Sequence, residues 1–484
     1  MKSRSLRMSH PATMFLVLTL AVVFFSWISD IYGFTVLNPV SGDEIKVQSL
    51  LSSEGLRWWL RHVVSNFTGF APLGMVIVAM FGIGVAEHSG FISACIRRGL
   101  KYGMGRIFVL WSVIFLGIIS NVLGDAGYVI LIPVAALLFQ AVGMHPVGGI
   151  ITAYVSVACG FSANIFISTL DPLLGRYTQE AITFSGIYPG YIGALSNYWF
   201  MFVSTFLVAA IIYWVSRRFL LPALGEYTLS FPEYQKQLSR KERRALLFAV
   251  CTGFLFFTVI VLATFSPWGF LRGITGGMTR SPFIMGALFL LSLGIGLMGM
   301  VFGFTSGRYR TDSDVVKGLS QTVSSLSVYL VIVFFASQMF ACFEYSHLDK
   351  CLAIYLSGLF PVFRAGNLVD LALLIALTAL INLIMVSSTA KWAFMSFIFV
   401  PVFAAMGISP DWTQCAFRIG DSATNAITPF MFYMPLVFAY MQQYNAQPDY
   451  VSLLRYTWRY SLFILIGWTV LFMLWFVLKL PLGL

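Results

Sequence analysis

The chain has 484 residues, of which 59% are hydrophobic and 10% charged, with a mean hydropathy of +0.85. That composition excludes an ordinary soluble domain and predicts an all-α polytopic membrane protein. The formal charge of +11 is not a nucleic-acid footprint, because the basic residues fall in short loops between apolar runs, where they act as topology signals.

The first apolar run, Ala12–Phe34, follows Lys2, Arg4 and Arg7. It is too long for a signal-peptide core and reads as a first span with the N-terminus in the cytoplasm. An outer loop follows, holding an amphipathic stretch, Leu50–Val64, with Ser52 or Ser53 as N-cap and Trp58 and Trp59 at the interface. Span Pro72–Ile92 returns to the basic cluster Arg97, Arg98, Lys101 and Arg106. Two short arms, Ile107–Val122 and Tyr128–Val142, then flank a polar tip near Asp125 and predict a re-entrant hairpin, closed by Gly143-Met-His-Pro146. The next span starts near Val147, is interrupted at Gly160-Phe-Ser-Ala-Asn164 and reaches the outside near Asp171-Pro172.

Span Tyr191–Val215 leads back to a basic segment, residues 216–244, which divides the chain into a first half (1–215) and a second half (245–484). Spans Ala245–Phe265, Pro282–Phe304 and Leu326–Phe343 follow. A second hairpin is predicted from arms Leu368–Met385 and Trp392–Ala405 around the tip Val386–Lys391, closed by Gly407-Ile-Ser-Pro410. An interrupted span, Trp412–Met441, and a last span, Leu462–Leu480, leave the C-terminus outside, giving nine transmembrane helices plus two re-entrant hairpins. The six cysteines contain no CxxC and read as free packing residues, with a Cys342–Cys351 pair outside the membrane as the alternative.

The most polar stretch at membrane depth is Arg418-Ile-Gly-Asp-Ser-Ala-Thr-Asn-Ala-Ile-Thr-Pro429. Pro429 lacks an N–H, Gly420 weakens a helix, and Ser422, Thr424 and Asn425 compete for backbone hydrogen bonds, so the helix is expected to unwind here. Irregular backbone and ionisable side chains inside a bilayer are tolerated where they line a cavity or a solute pathway. The landmarks of this region recur in the first half in the same order: hairpin tip, proline in the second arm, Gly-x-x-Pro turn, broken span. Opposite entry of the two hairpins makes this an inverted repeat, a sequence pointer to a transporter's midplane site and to alternating access.

At such a site, helix N-termini suit a carboxylate, and freed carbonyls with Ser, Asn and Asp oxygens suit a hard cation. Asp125, Ser162 and Asn164 are read as one cation site, and Ser387 or Ser388, Asp421 and Asn425 as its mirror. The coupling ion is left as Na⁺ or H⁺, with Asp421 as the proton carrier in the second case. A structural ion pair of Asp421 with Arg418, three residues away, is the alternative role. Lys391 either attracts a substrate carboxylate from a buried position or is solvated at the mouth, and Trp392 either stacks on an aromatic solute or packs in the core. Asp171 is a helix-capping candidate, and Pro410 and Pro429 shape turns.

These residues closely resemble the p-aminobenzoyl-glutamate transporter (AbgT) family. The similar stretches are Asn66-Phe-Thr-Gly-Phe-Ala-Pro-Leu-Gly74, Asp125-Ala-Gly-Tyr128, Gly160-Phe-Ser-Ala-Asn164, Asp171-Pro-Leu-Leu174, Ala390-Lys-Trp392 and Arg418-Ile-Gly-Asp-Ser422 through Pro429. The resemblance spans nearly the whole chain. It implies a bacterial inner-membrane secondary transporter, a homodimer, moving p-aminobenzoyl-glutamate-like folate catabolites or exporting sulfonamide antimetabolites. It implicates Asp171, Asn382, Thr389, Trp392, Pro410, Arg418, Asp421 and Pro429 in transport. Thr389 stands where the family usually has Ser, and Gly124 also replaces a Ser, removing one hydroxyl from the first tip.

No cofactor is implied beyond the coupling ion, and the partners expected are the lipid bilayer and a small aromatic amide or carboxylate solute. A sodium-coupled dicarboxylate symporter is the nearest alternative. An intramembrane aspartyl protease using Asp125 and Asp421 is a different class, disfavoured because neither Gly-Asp is part of Gly-x-Gly-Asp. HExxH is absent as well.

Overall fold

Apolar runs set the architecture, and caps and glycines set where each run stops. The computed structural model describes residues 10–186, 190–225, 227, 237–266, 269–273, 281–359, 368–444 and 448–484. Helices of ten or more residues are numbered here. They are α1 (Pro11–Ile31), α2 (Ser53–Thr68), α3 (Ala71–His88), α4 (Phe91–Lys101), α5 (Arg106–Ser120), α6 (Ala126–Ala141), α7 (Pro146–Cys159), α8 (Leu170–Ser185) and α9 (Tyr198–Val215) in the first half. The second half holds α10 (Arg240–Phe265), α11 (Ala287–Ser306), α12 (Asp312–Ser325), α13 (Ser327–Tyr345), α14 (Leu348–Leu359), α15 (Leu368–Asn382), α16 (Ser388–Ala405), α17 (Pro410–Ala423), α18 (Met434–Tyr444) and α19 (Tyr450–Val477). The loop after α1 also contains a two-stranded antiparallel ribbon, β1 (Thr35–Leu37) and β2 (Glu44–Lys46).

Among the described residues, nine helical segments are long and apolar enough to cross a membrane. The number equals the expected count of crossings, but the membership differs. The nine include α5 and α16, which were assigned to hairpin arms, and they omit the two interrupted spans, each of which is split into shorter helices. The lipid-like surface is plainest on α10, where Phe254, Leu255 and Phe257 are exposed; only lipid or another apolar partner accepts such a face.

Local chemistry explains several boundaries. Ser52, not Ser53, caps α2 by accepting from the Gly55 N–H at 3.0 Å. A capping box of Asp449 and Ser452 starts α19 at Tyr450, well ahead of the expected Leu462, so Arg455 and Arg459 lie within the helix rather than in a loop. The amphipathic helices α4 and α12 and the short α14 were not anticipated. Gly143 and Gly407 both adopt left-handed φ (71° and 79°), and in each case a proline three residues later opens a 14-residue helix, α7 or α17. The two halves therefore share this local turn.

Helix pairing is close where residues are small. A Cβ on Gly82 of α3 would meet the Ser292 carbonyl of α11 at 1.9 Å, so these backbones approach more closely than any side chain permits. Helix α5 packs on α6 and α7, α15 on α17, α16 on α8, and α9 on α19. Every residue of α7 is buried, which places that helix at the centre. The described cysteines are all free thiols, so Cys342 and Cys351 are not paired. Residues 226 and 228–236 of the basic segment 216–244 lie outside the described residues. Its described end carries Glu242, whose carboxylate meets Arg97 at 2.5 Å and ties the end of α4 to the start of α10.

Candidate functional site

The polar core is built where α7 and α17 stop. Helix α7 ends at Cys159 and non-helical chain runs to Thr169; α17 ends at Ala423 and non-helical chain runs to Tyr433. The second break is displaced from its expected position. Arg418 to Ala423 are helical, and only the stretch from Thr424 onward is irregular. Gly420 does not loosen the helix. A Cβ there would meet the Ile375 carbonyl at 2.4 Å, so glycine is what lets α17 lie against α15.

Two buried ion pairs result, and neither is the expected one. Arg418 pairs with Asp171 across 247 residues of sequence, not with Asp421. Lys391 is fully buried and its ammonium stands 2.5 Å from the Asp421 carboxylate. The 2.5 Å contact is ionic rather than an aligned hydrogen bond, since neither Asp421 oxygen has a donor in hydrogen-bond geometry. The solvated reading of Lys391 is thus excluded, and so is the Arg418–Asp421 pair. On a helix, positions three apart meet only if both side chains turn toward one another. Here each turns to a different helix: Arg418 to the first turn of α8 and Asp421 to the first turn of α16.

Asp171 lies at the start of a further helix rather than at the end of one. It sits in the first turn of α8, where its other oxygen accepts from the Ser168 N–H at 2.6 Å and the Ser168 hydroxyl at 2.9 Å. It therefore holds the Ser168 turn that leads into α8 and neutralises Arg418 together. Asn382, at the end of α15, joins several parts. Its Nδ2 donates to the Asp421 carbonyl (2.7 Å), Thr424 Oγ1 (3.0 Å) and Asn425 Oδ1 (2.8 Å), while its Oδ1 accepts from the Lys391 ammonium. Asn425 in turn donates to the Ala158 carbonyl at 3.1 Å, linking the second break to the end of α7. Trp392 is buried, with its ring 4.4 Å from that of Phe417 and its indole N–H donating to Thr178 Oγ1 at 2.8 Å. Thr178 donates to Gln414 at 2.8 Å.

The expected cation clusters are only partly assembled. Asp125 is exposed to a cavity of about 470 Å³ shared with Glu344, Phe340, Phe432 and Tyr433. Ser162 and Asn164 do not line that cavity; Ser162 Oγ and Asn164 Oδ1 are buried without partners in the first break. In the mirror cluster Ser387 caps α16 through the Ala390 N–H at 3.4 Å, and its hydroxyl lies 3.5 Å from that of Thr389. Ser388 Oγ is buried without a partner, as are Thr378 Oγ1 and Ser422 Oγ. Within this cluster the Lys391 ammonium stands beside Asp421. Asp125 and Asp421 form no catalytic dyad, since Asp421 is engaged by lysine. Pro410 opens α17, and Pro429 lies in the second break, where the neighbouring Thr428 hydroxyl holds the Leu383 carbonyl of the α15–α16 turn at 2.9 Å. Thr178, Gln414, Thr424 and Ser168 were missed as site residues. Thr424 was legible as a competing hydrogen-bond group, but nothing local in the sequence marks the other three.

Space lies on both sides of this core, although the four charged residues line none of the cavities described here. Near the two hairpin turns are the 470 Å³ cavity and a neighbouring one of about 290 Å³ that includes Ser387, Phe430 and Lys350. Another, of about 480 Å³, is lined by Glu87, Gln321, Tyr440 and Gln443. Between them α18 and the chain before it contact α3 through Tyr433–Met75 (3.8 Å) and Tyr440–Met80 (2.9 Å).

Comparison with known proteins agrees with this architecture. The chain is 29% identical over 479 residues to the p-aminobenzoyl-glutamate transport protein of Escherichia coli (strain K12), covering 99% of this chain and 94% of that one. The solved YdaH transporter of Alcanivorax borkumensis is similar at 35% identity, with a TM-score of 0.53 over 98% of this chain and 100% of that one. MtrF of Neisseria gonorrhoeae, from a class of antimetabolite efflux pumps, is similar at 35% identity, with a TM-score of 0.52 over 99% and 97% of the two chains. The model of the AbgT putative transporter family matches residues 5–484, and the chain is a member of that family: a membrane transporter, not an enzyme.

Proposed function

We propose that this protein is a secondary active transporter of p-aminobenzoyl-glutamate-like aromatic amide carboxylates, with sulfonamide antimetabolites as a second solute class. It works in a bacterial inner membrane as a homodimer, with the N-terminus cytoplasmic and the C-terminus periplasmic. The single observation that carries the reading is the pair of buried salt bridges at the ends of broken helices, Arg418–Asp171 and Lys391–Asp421, inside a chain aligned end to end with a p-aminobenzoyl-glutamate transport protein. Buried ion pairs are poor sources of stability and persist where charge has a task.

In this reading the two helix hairpins are re-entrant, the halves are an inverted repeat, and Arg418 on α17 and Lys391 on α16 are the cations that meet the solute's carboxylates. Arg418 supplies a planar fork suited to a carboxylate. Cavities on either side of the Tyr433–Met75 and Tyr440–Met80 contacts support alternating access, with those contacts as the occluding layer. The coupling cation competes with Lys391 for Asp421. When the ammonium is drawn toward a solute carboxylate, Asp421 takes a proton or Na⁺. The Asp421 carboxylate and the buried Thr378, Ser388 and Ser422 hydroxyls, which have no hydrogen-bond partner, support a hard cation there.

The test is flux of labelled p-aminobenzoyl-glutamate in proteoliposomes under separate Na⁺ and proton gradients. Movement driven by a proton gradient, and unchanged when a large organic cation replaces Na⁺, excludes sodium coupling. Movement of labelled succinate but not of the aromatic amide would replace this reading with a dicarboxylate symporter.

A further inference from the structure

At the end of the molecule that carries the Arg97–Glu242 pair and the basic loops, α5, the turn into α7 and the chain after α9 enclose a cavity of about 620 Å³. Three basic side chains line it: Arg106 at the start of α5, His145 at the N-cap of α7, and Arg217. Among the described residues, none that lines it is acidic. The rest of the wall is mainly apolar, with Ile107, Leu110, Met144 and Leu221. Ile107 and its neighbour Phe108 are 57% and 62% exposed, so the apolar wall continues onto the outer surface.

The backbone is arranged to present these groups. Ser216–Leu220 forms a π-helical turn between α9 and the next helical turn, and Arg217 lies within it. Such turns re-aim side chains and recur at functional sites. Arg217 lies over the Tyr213 ring at 5.7 Å and donates to its hydroxyl at 3.0 Å through one nitrogen, which leaves most of its five N–H donors unused by that contact. Arg106 spends Nε and one Nη2 donor on the carbonyls of Val142 and Gly143, both at 3.2 Å, which fixes its guanidinium across the base of the α5–α6 hairpin. His145 Nδ1 accepts from the Val147 N–H at 3.2 Å, so the ring's proton is on Nε2, a further donor. Trp111 stacks on Tyr213 at 4.5 Å, and Trp214 is 47% exposed, the amphipathic rings expected at headgroup depth.

We infer that this cavity binds the phosphate of an anionic phospholipid, with Arg106, Arg217 and His145 on the headgroup and Ile107, Phe108 and Leu110 against the acyl chains. Guanidinium forks match phosphate oxygens, and basic pockets between membrane helices at the cytoplasmic face suit anionic headgroups. The continuous apolar wall favours a lipid over a free phosphate, which needs cations but no greasy surface. The inference is independent of the solute transported.

The experiment uses the full-length chain, purified and delipidated in neutral detergent. Native mass spectrometry with phosphatidylglycerol, and separately with phosphatidylcholine of the same chains, reads bound lipid. Phosphatidylglycerol should be retained in preference. Arg217→Gln, whose own recorded contacts are with Tyr213, should weaken retention about fivefold, as should Arg106→Gln. Lys101→Gln, an exposed basic residue at the same end but outside the cavity, should change nothing. Equal retention of the two lipids, no effect of Arg217→Gln, or an equal effect of Lys101→Gln overturns the site. Displacement of the lipid by millimolar inorganic phosphate identifies a free-anion site and overturns the lipid assignment.

Discussion

Replacing Asp421 by Asn removes one charge from a pair that is almost completely enclosed. Lys391 has no exposed surface, Asp421 is 1% exposed, and their charged atoms are 2.5 Å apart. In Asp421→Asn the ammonium keeps only Asn382 Oδ1 and a neutral amide as partners. Breaking a buried pair from one side costs about 3–5 kcal/mol, because the remaining charge stays desolvated. That is a large part of a total stability on the order of 5–15 kcal/mol. Asn382 still holds the Asp421 backbone carbonyl, so the helix end itself is not released. Asp421→Asn should therefore reach the membrane in reduced folded yield, melt at lower temperature and transport poorly. Loss of flux alone does not separate structure from chemistry. The double variant Lys391→Met, Asp421→Asn removes both charges and should recover most of the stability. Its flux should stay low, since no carboxylate remains to take the coupling cation. Phe161→Asn in the first break, half-buried and outside either pair, serves as a control for an introduced amide. Thermal melting of the purified variants and labelled-solute flux in proteoliposomes give the two readouts. Wild-type flux in Asp421→Asn, or flux restored in the double variant, refutes the assignment of Asp421 as cation carrier.

Asp171→Asn should destabilise by about 3–5 kcal/mol through the stranded Arg418 guanidinium, even though an amide oxygen can still accept from the Ser168 N–H; a melting temperature equal to wild type would show that the pair is solvated in the membrane-embedded protein. Gly420→Ala should cost about 1–3 kcal/mol by pushing α17 off α15, because its Cβ meets the Ile375 carbonyl at 2.4 Å; an unchanged melt would mean that the two helices are not in contact. Single cysteines at the exposed positions Lys101 and Arg310 should be labelled by an impermeant thiol reagent from the cytoplasm, and one at Arg176 from the periplasm; labelling of 101 and 176 from one side would rule out the inverted arrangement.

Helix existence was readable because a bilayer-facing element needs an uninterrupted apolar run, and the chain has many. Helix ends were less readable because capping and amphipathicity extend a helix beyond its apolar part. Asp449 and Ser452 start α19 ahead of the apolar run, and α12, with Asp312 and Asp314 in its first turn, has no apolar run at all. Position 420 shows a different limit. Glycine in a helix costs propensity when nothing touches it, so the sequence argues for unwinding there. In the folded chain α15 lies against that glycine, and the close approach stabilises the helix through it. Which of the two a glycine does depends on a neighbour that is remote in sequence.

The same limit governs the charges. Arg418 and Asp421 are three residues apart, and local spacing makes them the obvious pair. The partners that win are Asp171 and Lys391, held at the first turns of α8 and α16 by chain reversals that no local pattern reveals. Helix N-termini carry a partial positive charge, which suits Asp171 at the start of α8. It does not suit Lys391 at the start of α16, where the dipole and the ammonium repel. Burial adds a second penalty to that position. A lysine kept there needs a compensating carboxylate, and Asp421 with Asn382 supplies the oxygens. A pair assembled against two unfavourable terms stays closed only while its carboxylate stays charged. Under the proposed function, protonating Asp421, or offering it another cation, removes the charge that holds Lys391, and a solute carboxylate is the partner proposed to take its place. In that proposal the coupling between ion and solute rests on the placement of Lys391, and Lys391→Met with Asp421 intact should abolish it.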